Sequence, residues 1–178
     1  SNSLARDAKG CRYINDTGCG NTINADHPRV QNLVLDSLVY WHQEMGVDGF
    51  RFDLATVLGR TLKGFSRTHP LLTRMGVEPE LYRAKLIAEP WDPGPGGYQL
   101  GHFPIEWAEL NDRYRDTARR YWRGDPGQSS EFARRIHGCA FSATIIVAGR
   151  ARPLQAGYRR PLHPGLPRWM AMARMIRP

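Results

Sequence analysis

The stretch "VDGFRFDLA" at residues 47–55 decides the fold class, together with "KLIAEPWDPGPGGY" at residues 85–98. Each begins with a short apolar run, and such runs are typical of buried strands when turn-forming residues flank them. Each run ends in an acid, Asp53 in the first stretch and Glu89 in the second. We therefore interpret both stretches as strands that carry a carboxylate at their carboxyl end.

Side-chain alternation divides the first strand into an apolar face and a polar face. Phe50 and Phe52 share one face, whereas Arg51 and Asp53 share the other, because successive side chains of a strand point in opposite directions. We expect the two phenylalanines to pack under helices and the two charged side chains to point away from them.

Helical patterns precede and follow these strands. Residues 25–46 predict a helix with Asp26 as its N-cap and Gly46 as its stop signal. Apolar residues at helical spacing predict its core-facing side: Val30, Leu33, Val34, Leu38, Trp41 and Met45. A short helical piece is expected near residues 79–84, and residues 113–124 predict a helix that ends at their final glycine.

The alternation of helices and strands predicts an α/β fold with a parallel sheet. In a TIM barrel, the closed form of this class, active sites lie at the carboxyl ends of the strands. Asp53 and Glu89 are 36 residues apart, about the length of one strand–helix–strand crossover. We therefore expect these acids on neighbouring strands, with both side chains over one mouth.

Two carboxylates over one pocket are the apparatus of glycoside hydrolysis. One acts as nucleophile and the other protonates the leaving oxygen, and a separation of about 5–5.5 Å gives retention of configuration. Arg51, on the same strand face as Asp53, is a candidate to support the charge of a nucleophile there. Pro90 and Trp91 would give Glu89 part of the drier setting that a general acid needs.

The loop after Glu89 carries aromatic side chains that are candidates for stacking on sugar rings: Trp91, Tyr98, Phe103 and Trp107. The alternative, that such rings belong to the core, stays open at this point. A single acid at a strand end is also more often a helix cap or an ion-pair partner than a catalyst. Two such acids, one with an arginine two residues earlier and one followed by Pro-Trp-Asp, are a more specific signal.

Charge and hydropathy argue against two other classes of partner. The chain has 178 residues and a net charge of +8, but the basic excess lies after residue 131, where there are nine arginines and no lysine or acid. We therefore expect no nucleic-acid partner for the nearly neutral body. The longest apolar run, "ATIIVA", is far shorter than the roughly 20 residues that span a bilayer, so no membrane partner is expected.

Cysteine usage and the amino-terminal composition predict a cytoplasmic protein. The three cysteines cannot all pair with one another, and the first ten residues show no signal-peptide pattern. The six histidines have no metal-binding spacing. The sequence therefore predicts neither a metal site nor another cofactor.

Four longer stretches resemble the bacterial glycogen debranching enzymes of the isoamylase type, within the α-amylase superfamily of glycoside hydrolases: "YINDTGCGNTINADHPRV", "YWHQEMGVDGFRFDLATVLGR", "LIAEPWDPGPGGYQLGHFP" and "EWAELNDRYRDTARRYWRGD". The resemblance covers roughly residues 13–135. It implies a TIM-barrel catalytic domain that cleaves α-1,6 branch links of glycogen or limit dextrins with retention.

The resemblance also implies roles for five residues. "GFRFDLA" matches the nucleophile motif, which makes Asp53 the nucleophile and Arg51 its supporting cation. "AEPWD" matches the acid/base motif and gives that role to Glu89. Trp91 and Asp92 fall where the family lines its substrate groove, and the implied partner is a branched α-glucan.

Two motifs of the family do not occur in the chain, an Asn-His pair and a later His-Asp pair that carries a third catalytic carboxylate. Because a TIM barrel takes about 250 residues, we expect residues 1–137 to form the middle strands of a partial catalytic domain that is inactive by itself. Residues 138–178 form an Arg- and Pro-rich tail without strand or helix periodicity, and we expect this tail to be out of frame with the family.

Two alternatives stay open. One is another glucan-acting member of the superfamily, a branching or transferring enzyme, since the groove residues that would decide lie mostly outside the chain. The other is a non-catalytic, pseudogene-like remnant that at most binds glucan weakly. The sequence makes no prediction of oligomeric state.

Overall fold

The computed structural model describes residues 3–7 and 9–137. The Arg- and Pro-rich tail and its expected shift of reading frame, both assigned to residues 138–178, lie outside the described residues.

The described residues form helices and strands in mixed order. In chain order they are α1 (Pro28–Gln43), β1 (Gly49–Phe52), a first 3₁₀ helix (Ala55–Gly59), β2 (Arg60–Thr61), β3 (Gly64–Phe65), α2 (Pro70–Val77), a second 3₁₀ helix (Pro79–Leu81), β4 (Lys85–Ala88), β5 (Ala108–Glu109), α3 (Asp112–Arg123) and α4 (Gln128–Ile136).

Strands β1, β4 and β5 form a parallel sheet with β4 in the middle. Phe52 of β1 pairs with Ala88 of β4, and Glu109 of β5 pairs with Ala88 from the other side. Strands β2 and β3 form a separate antiparallel hairpin. The prediction of an α/β fold with a parallel sheet is confirmed, and the strands that lead into Asp53 and Glu89 are neighbours.

The amino-terminal caps of α1 and α2 differ from the prediction. His27, not Asp26, caps α1, because its Nδ1 accepts a hydrogen bond from the Arg29 N–H at 3.2 Å. Asp26 instead pairs with Nε2 of the buried His69 at 3.0 Å. His69 caps α2 through Nδ1, which accepts from the Leu71 N–H. Both helices thus begin with a His-Pro pair, which the usual preference for Ser, Thr, Asp and Asn does not reveal.

The buried side of α1 is rotated away from part of the predicted apolar stripe. Leu33 is 67% exposed and Trp41 is 49% exposed, so these two residues do not face the core. The buried residues of this helix are Val30, Gln31, Leu35, Leu38 and His42. Two of them are polar, and Gln31 is satisfied by donating to the Ala25 carbonyl at 2.8 Å. A stripe drawn through apolar residues alone misses such positions.

Two aromatic side chains beyond the Gly/Pro loop belong to the core. Trp107 is 2% exposed and Phe103 is 3% exposed, and their ring centroids are 5.7 Å apart. Trp107 also packs on Phe52 of β1, with centroids 4.9 Å apart. Burying a side chain of this size contributes about 1.5–3 kcal/mol. The core alternative therefore holds for these two rings, and they do not line an open groove.

Helix α3 was expected from the sequence, whereas α2, β5 and α4 were not. Gly124 ends α3 in the left-handed conformation, with φ of 85°. Helix α4 packs on α3 through the stacked rings of Tyr121 and Phe132, whose centroids are 4.4 Å apart. Among the described residues, none of the helices has both the length and the apolar character to cross a bilayer.

Candidate active site

Arg51 lies between the two predicted catalytic acids. Its Nη1 is 2.6 Å from Oδ1 of Asp53, and its Nη2 is 3.2 Å from Oε1 of Glu89. Arg51 and Asp53 come from β1 and its end, while Glu89 follows β4, so the parallel pairing of the two strands brings them together. One guanidinium therefore contacts both carboxylates, as its planar fork of donors allows.

Backbone hydrogen bonds join the two strand ends beyond the last paired residues. The Glu89 N–H donates to the Phe52 carbonyl at 3.0 Å, and the Ala55 N–H donates to the Glu89 carbonyl at 3.0 Å. The Leu54 N–H donates to Oε2 of the Glu89 side chain, also at 3.0 Å. The residues that follow Asp53 thus hold both the backbone and the carboxylate of Glu89.

Leu54 adopts an unusual backbone conformation at this junction. With φ of 46° and ψ of 44°, it is the one non-glycine residue with a positive φ in the part of the chain that the structure describes. The left-handed region costs an L-residue roughly 1–2 kcal/mol, and such strain often accompanies functional sites. Here the conformation turns the Leu54 N–H towards Glu89.

The two carboxylates differ in exposure. The Asp53 side chain is 75% exposed, whereas that of Glu89 is 15% exposed. An exposed carboxylate is accessible to an incoming carbon centre, and a mostly buried one is shielded from bulk water. The two side chains therefore differ in their access to solvent.

A pocket of about 270 Å³ borders Asp53. One wall is the turn that continues from β1, with Leu54, Val57 and Leu58. The opposite wall comes from the amino-terminal segment: Thr17, Cys19, Gly20, Asn21, Thr22 and Ile23. No role in the site was expected for this segment from its sequence. The signal that could have found it is its high content of small and polar residues ahead of the first helix, where it resembles the family.

The loop after Glu89 carries two aromatic residues outside the core, the half-buried Trp91 and the exposed Tyr98. Their rings are nearly parallel, at 12°, with centroids 6.5 Å apart. The Tyr98 hydroxyl donates to Oδ1 of Asp112 at 2.8 Å. Partial burial is the main cause of a raised pKa for Tyr98, and the contact with the Asp112 carboxylate raises that pKa further. Tyr98 is therefore neutral near pH 7, and its ring stays nearly parallel to that of Trp91.

Asp92 is buried beneath this loop. Its side chain is 1% exposed and forms an ion pair with Arg60, whose Nη2 is 2.6 Å from Oδ1 and 2.7 Å from Oδ2. The Gly94 N–H also donates to Oδ1 at 2.7 Å. The predicted contact of Asp92 with substrate stays a prediction, and the geometry gives this residue a further, structural role.

Glu109 is a third carboxylate in this sheet, at the end of β5, and it was not expected from the sequence. Glu109 is 3% exposed and accepts hydrogen bonds from the backbone N–H groups of Gly101 and Phe103. Burial raises its pKa, although those two donors act in the opposite direction. Glu109 therefore holds the far part of the loop. Its strand has only two residues, too few for an apolar run to mark it.

The described residues contain no group of three or more His, Cys, Asp or Glu side chains arranged to hold a metal ion.

Sequence comparison relates this chain to bacterial proteins of glycogen metabolism. It is 52% identical over 141 residues to the glycogen operon protein GlgX homolog of Mycobacterium tuberculosis, which covers 79% of this chain and 19% of that protein. It is 54% identical over 139 residues to the glycogen debranching enzyme of Serratia proteamaculans, covering 78% of this chain and 21% of that enzyme. It is 53% identical over 124 residues to the glycogen debranching enzyme of Erwinia tasmaniensis, covering 70% and 19%.

The chain thus spans about a fifth of the length of these curated relatives. The resemblance to glycogen debranching enzymes that the motifs indicated is confirmed by this identity. No protein-family model matches the chain. Among solved structures, pullulanase type I from Bacillus subtilis superposes with a TM-score of 0.45 at 26% identity, over 65% of this chain and 16% of that one.

Proposed function

We propose that this chain supplies the middle strands of a TIM-barrel glycoside hydrolase that cleaves α-1,6 branch linkages of glycogen or its limit dextrins. Three observations support the proposal: the identity of more than half to proteins named glycogen debranching enzyme, the parallel order of β1, β4 and β5, and the contact of one arginine with two strand-end acids. The third observation carries it, because it concerns the chemistry itself.

The proposed reaction proceeds by double displacement with retention. In the first step the Asp53 carboxylate attacks the anomeric carbon, the bond to the leaving oxygen breaks, and Glu89 gives that oxygen its proton. In the second step Glu89 takes a proton from water, and the water oxygen attacks the anomeric carbon and displaces Asp53. Arg51 keeps both side chains on one sugar ring, which a retaining geometry requires.

The substrate is proposed to occupy the pocket beside Asp53 and to extend over the aromatic rings of the loop. A pocket of about 270 Å³ has room for one glucosyl unit. The nearly parallel rings of Trp91 and Tyr98 are aromatic faces of the kind on which sugars stack. Cys11 and Cys19 are both free, which supports a cytoplasmic location for this glucan chemistry.

The test is hydrolysis of a branched limit dextrin by the full-length gene product, measured as release of linear maltooligosaccharides. Asp53→Ala should lower kcat by about 10⁵-fold, and Glu89→Gln should lower it by several orders of magnitude. Removing one member of a catalytic unit costs nearly as much activity as removing all of them. Asp48→Asn is the matched control, since Asp48 is an exposed acid just before the opposite end of β1.

The anomeric form of the released sugar tests the mechanism. Retention gives products in the α configuration, which proton NMR detects before mutarotation. Release of β products would contradict the double displacement. Formation of new branch points without net release would favour a transferring enzyme, and glucan binding without turnover would favour a non-catalytic protein.

A further inference from the structure

We infer that Arg60 and Asp92 form a positioning pair that sets the aromatic wall of the active site, rather than a pair that contacts glucan. The inference rests on the proposed function, in which sugars stack on the rings of Trp91 and Tyr98, and we call these two rings the aromatic wall. The pair joins two parts of the chain that carry the catalytic acids. Arg60 begins β2, shortly after Asp53, and Asp92 follows Glu89 by three residues.

Both partners of the pair are withdrawn from solvent. The Asp92 side chain is 1% exposed and that of Arg60 is 15% exposed. Both Asp92 oxygens accept from Nη2 of Arg60, at 2.6 and 2.7 Å, and Oδ1 also accepts from the Gly94 N–H. Nη1 of Arg60 donates to the Pro95 carbonyl at 2.7 Å. With its oxygens engaged and covered, the Asp92 carboxylate is not presented to a sugar.

Further hydrogen bonds close the same loop on itself and on the turn after Asp53. The Asp92 N–H donates to the Gly97 carbonyl at 3.2 Å. That carbonyl also accepts from Oγ1 of the fully buried Thr56 at 3.0 Å. Gly97 has no room for a side chain, since a Cβ there would lie 2.0 Å from the Asp92 carbonyl oxygen. Residues 92–97 therefore form a clamped segment.

The two wall residues flank this clamped segment directly. Trp91 precedes Asp92, and Tyr98 follows Gly97, so the spacing and tilt of their rings follow from the clamp. Removing one member of a buried ion pair leaves the other charge without compensation, which is strongly unfavourable. We expect the segment to open in that case, and the rings to lose their parallel arrangement.

The test is a double-mutant cycle in the full-length gene product, with a branched limit dextrin as substrate. Arg60→Met and Asp92→Asn should each raise KM about tenfold while kcat changes much less, because the acids are untouched. The double variant should show about the same tenfold rise and not a hundredfold one, since residues that act through one contact are not additive. Arg123→Met is the matched control, because Arg123 forms an exposed ion pair with Asp125.

A spectroscopic measurement reports on the rings without any reaction. The near-UV circular dichroism difference between the parent and its Trp91→Phe variant should be clear in the wild-type background. It should be largely lost in the Asp92→Asn background. An unchanged difference would overturn the inference, and so would a rise in KM for Asp92→Asn without one for Arg60→Met, because the latter result is that of a direct glucan ligand.

Two precautions keep the outcomes separate. If Arg60→Met does not fold, Arg60→Lys keeps the charge but lacks the planar fork, and an unchanged KM in that variant contradicts the clamp. If the wild-type gene product does not hydrolyse limit dextrin, the proposed function fails. The circular dichroism difference then decides on the clamp alone.

Discussion

The Leu54 N–H donates a hydrogen bond to Oε2 of Glu89 at 3.0 Å. The residue after the proposed nucleophile therefore orients the proposed acid/base, although the two lie on different strands. Arg51 adds a second link through the side chains. The positions of the two carboxylates are therefore linked, and a change at either strand end should displace both of them.

Arg51→Met should lower kcat for limit dextrin by about 10²–10³-fold, in the range found when a single preorganised donor is removed. KM should change little, because Arg51 acts on the acids and not on distant sugar units. Arg51→Lys should restore little activity, since one ammonium group does not reproduce the fork that reaches both carboxylates. Steady-state kinetics check this, with Arg119→Met as an exposed control. Near-wild-type kcat in Arg51→Met would remove Arg51 from the mechanism.

At position 54, a residue that tolerates a positive φ should give a more stable protein than one that resembles leucine in its side chain. The free energy of unfolding of Leu54→Val should be lower than that of Leu54→Asn by about 1 kcal/mol or more. The reason is that a β-branched residue is strained where φ is 46°. Urea unfolding of the two variants makes the comparison. If the valine variant is the more stable one, hydrophobic contact dominates at this site and backbone strain is unimportant.

Glu109 should make stability depend on pH in the direction opposite to that of an ordinary paired acid. Burial raises its pKa above the usual value of 4.5 in the folded state, so the folded protein binds this proton more tightly than the unfolded chain does. The contribution is fully present below the unfolded pKa and is lost as pH rises through the folded pKa.

The free energy of unfolding of the wild type, relative to that of Glu109→Gln, should therefore fall as pH rises from about 4 towards neutrality. Denaturant titrations at several pH values provide the measurement. His102 and Arg67 oppose the shift from nearby, and a relative stability that rises with pH would mean that these two side chains and the two N–H donors outweigh burial.

Cys19 should report occupancy of the pocket beside Asp53. Cys19 lines this pocket, whereas Cys11 is also exposed but lies outside it. A maltooligosaccharide should slow alkylation of Cys19 by iodoacetamide and leave the rate at Cys11 unchanged. Peptide mapping by mass spectrometry follows both thiols in one sample. Equal rates at Cys19 with and without the sugar would place the glucan elsewhere.

The strands and their acids could be predicted from the sequence because each depends on a local pattern. Phe50 and Phe52 alternate with charged residues, and this pattern is decided within a few positions. The roles of Asp92 and Glu109 could not be predicted in this way. Asp92 meets its partner Arg60 across 32 residues, and β5 is too short to carry a periodicity.

The errors have equally specific causes. An aromatic residue near a loop can face either the core or solvent. The local sequence around Trp107 does not distinguish these two orientations. His27 and His69 cap helices through a neutral ring nitrogen, an acceptor that competes poorly with Asp or Ser in the usual ranking. Tertiary packing therefore determines the outcome for Trp107, whereas each cap depends on a local hydrogen bond to a residue type that the usual ranking omits.

The register of β1 and β4 fixes the position of the two acids relative to each other. Phe52 pairs with Ala88, so Asp53 and Glu89 each stand one step beyond the same rung of the ladder. Deleting one codon from either strand would move its acid back by about 3.3 Å and turn it to the opposite face of the sheet. Insertions and deletions should therefore be tolerated in exposed loops, as in the stretch at residues 9–12, but not between residues 49 and 53 or between residues 85 and 89.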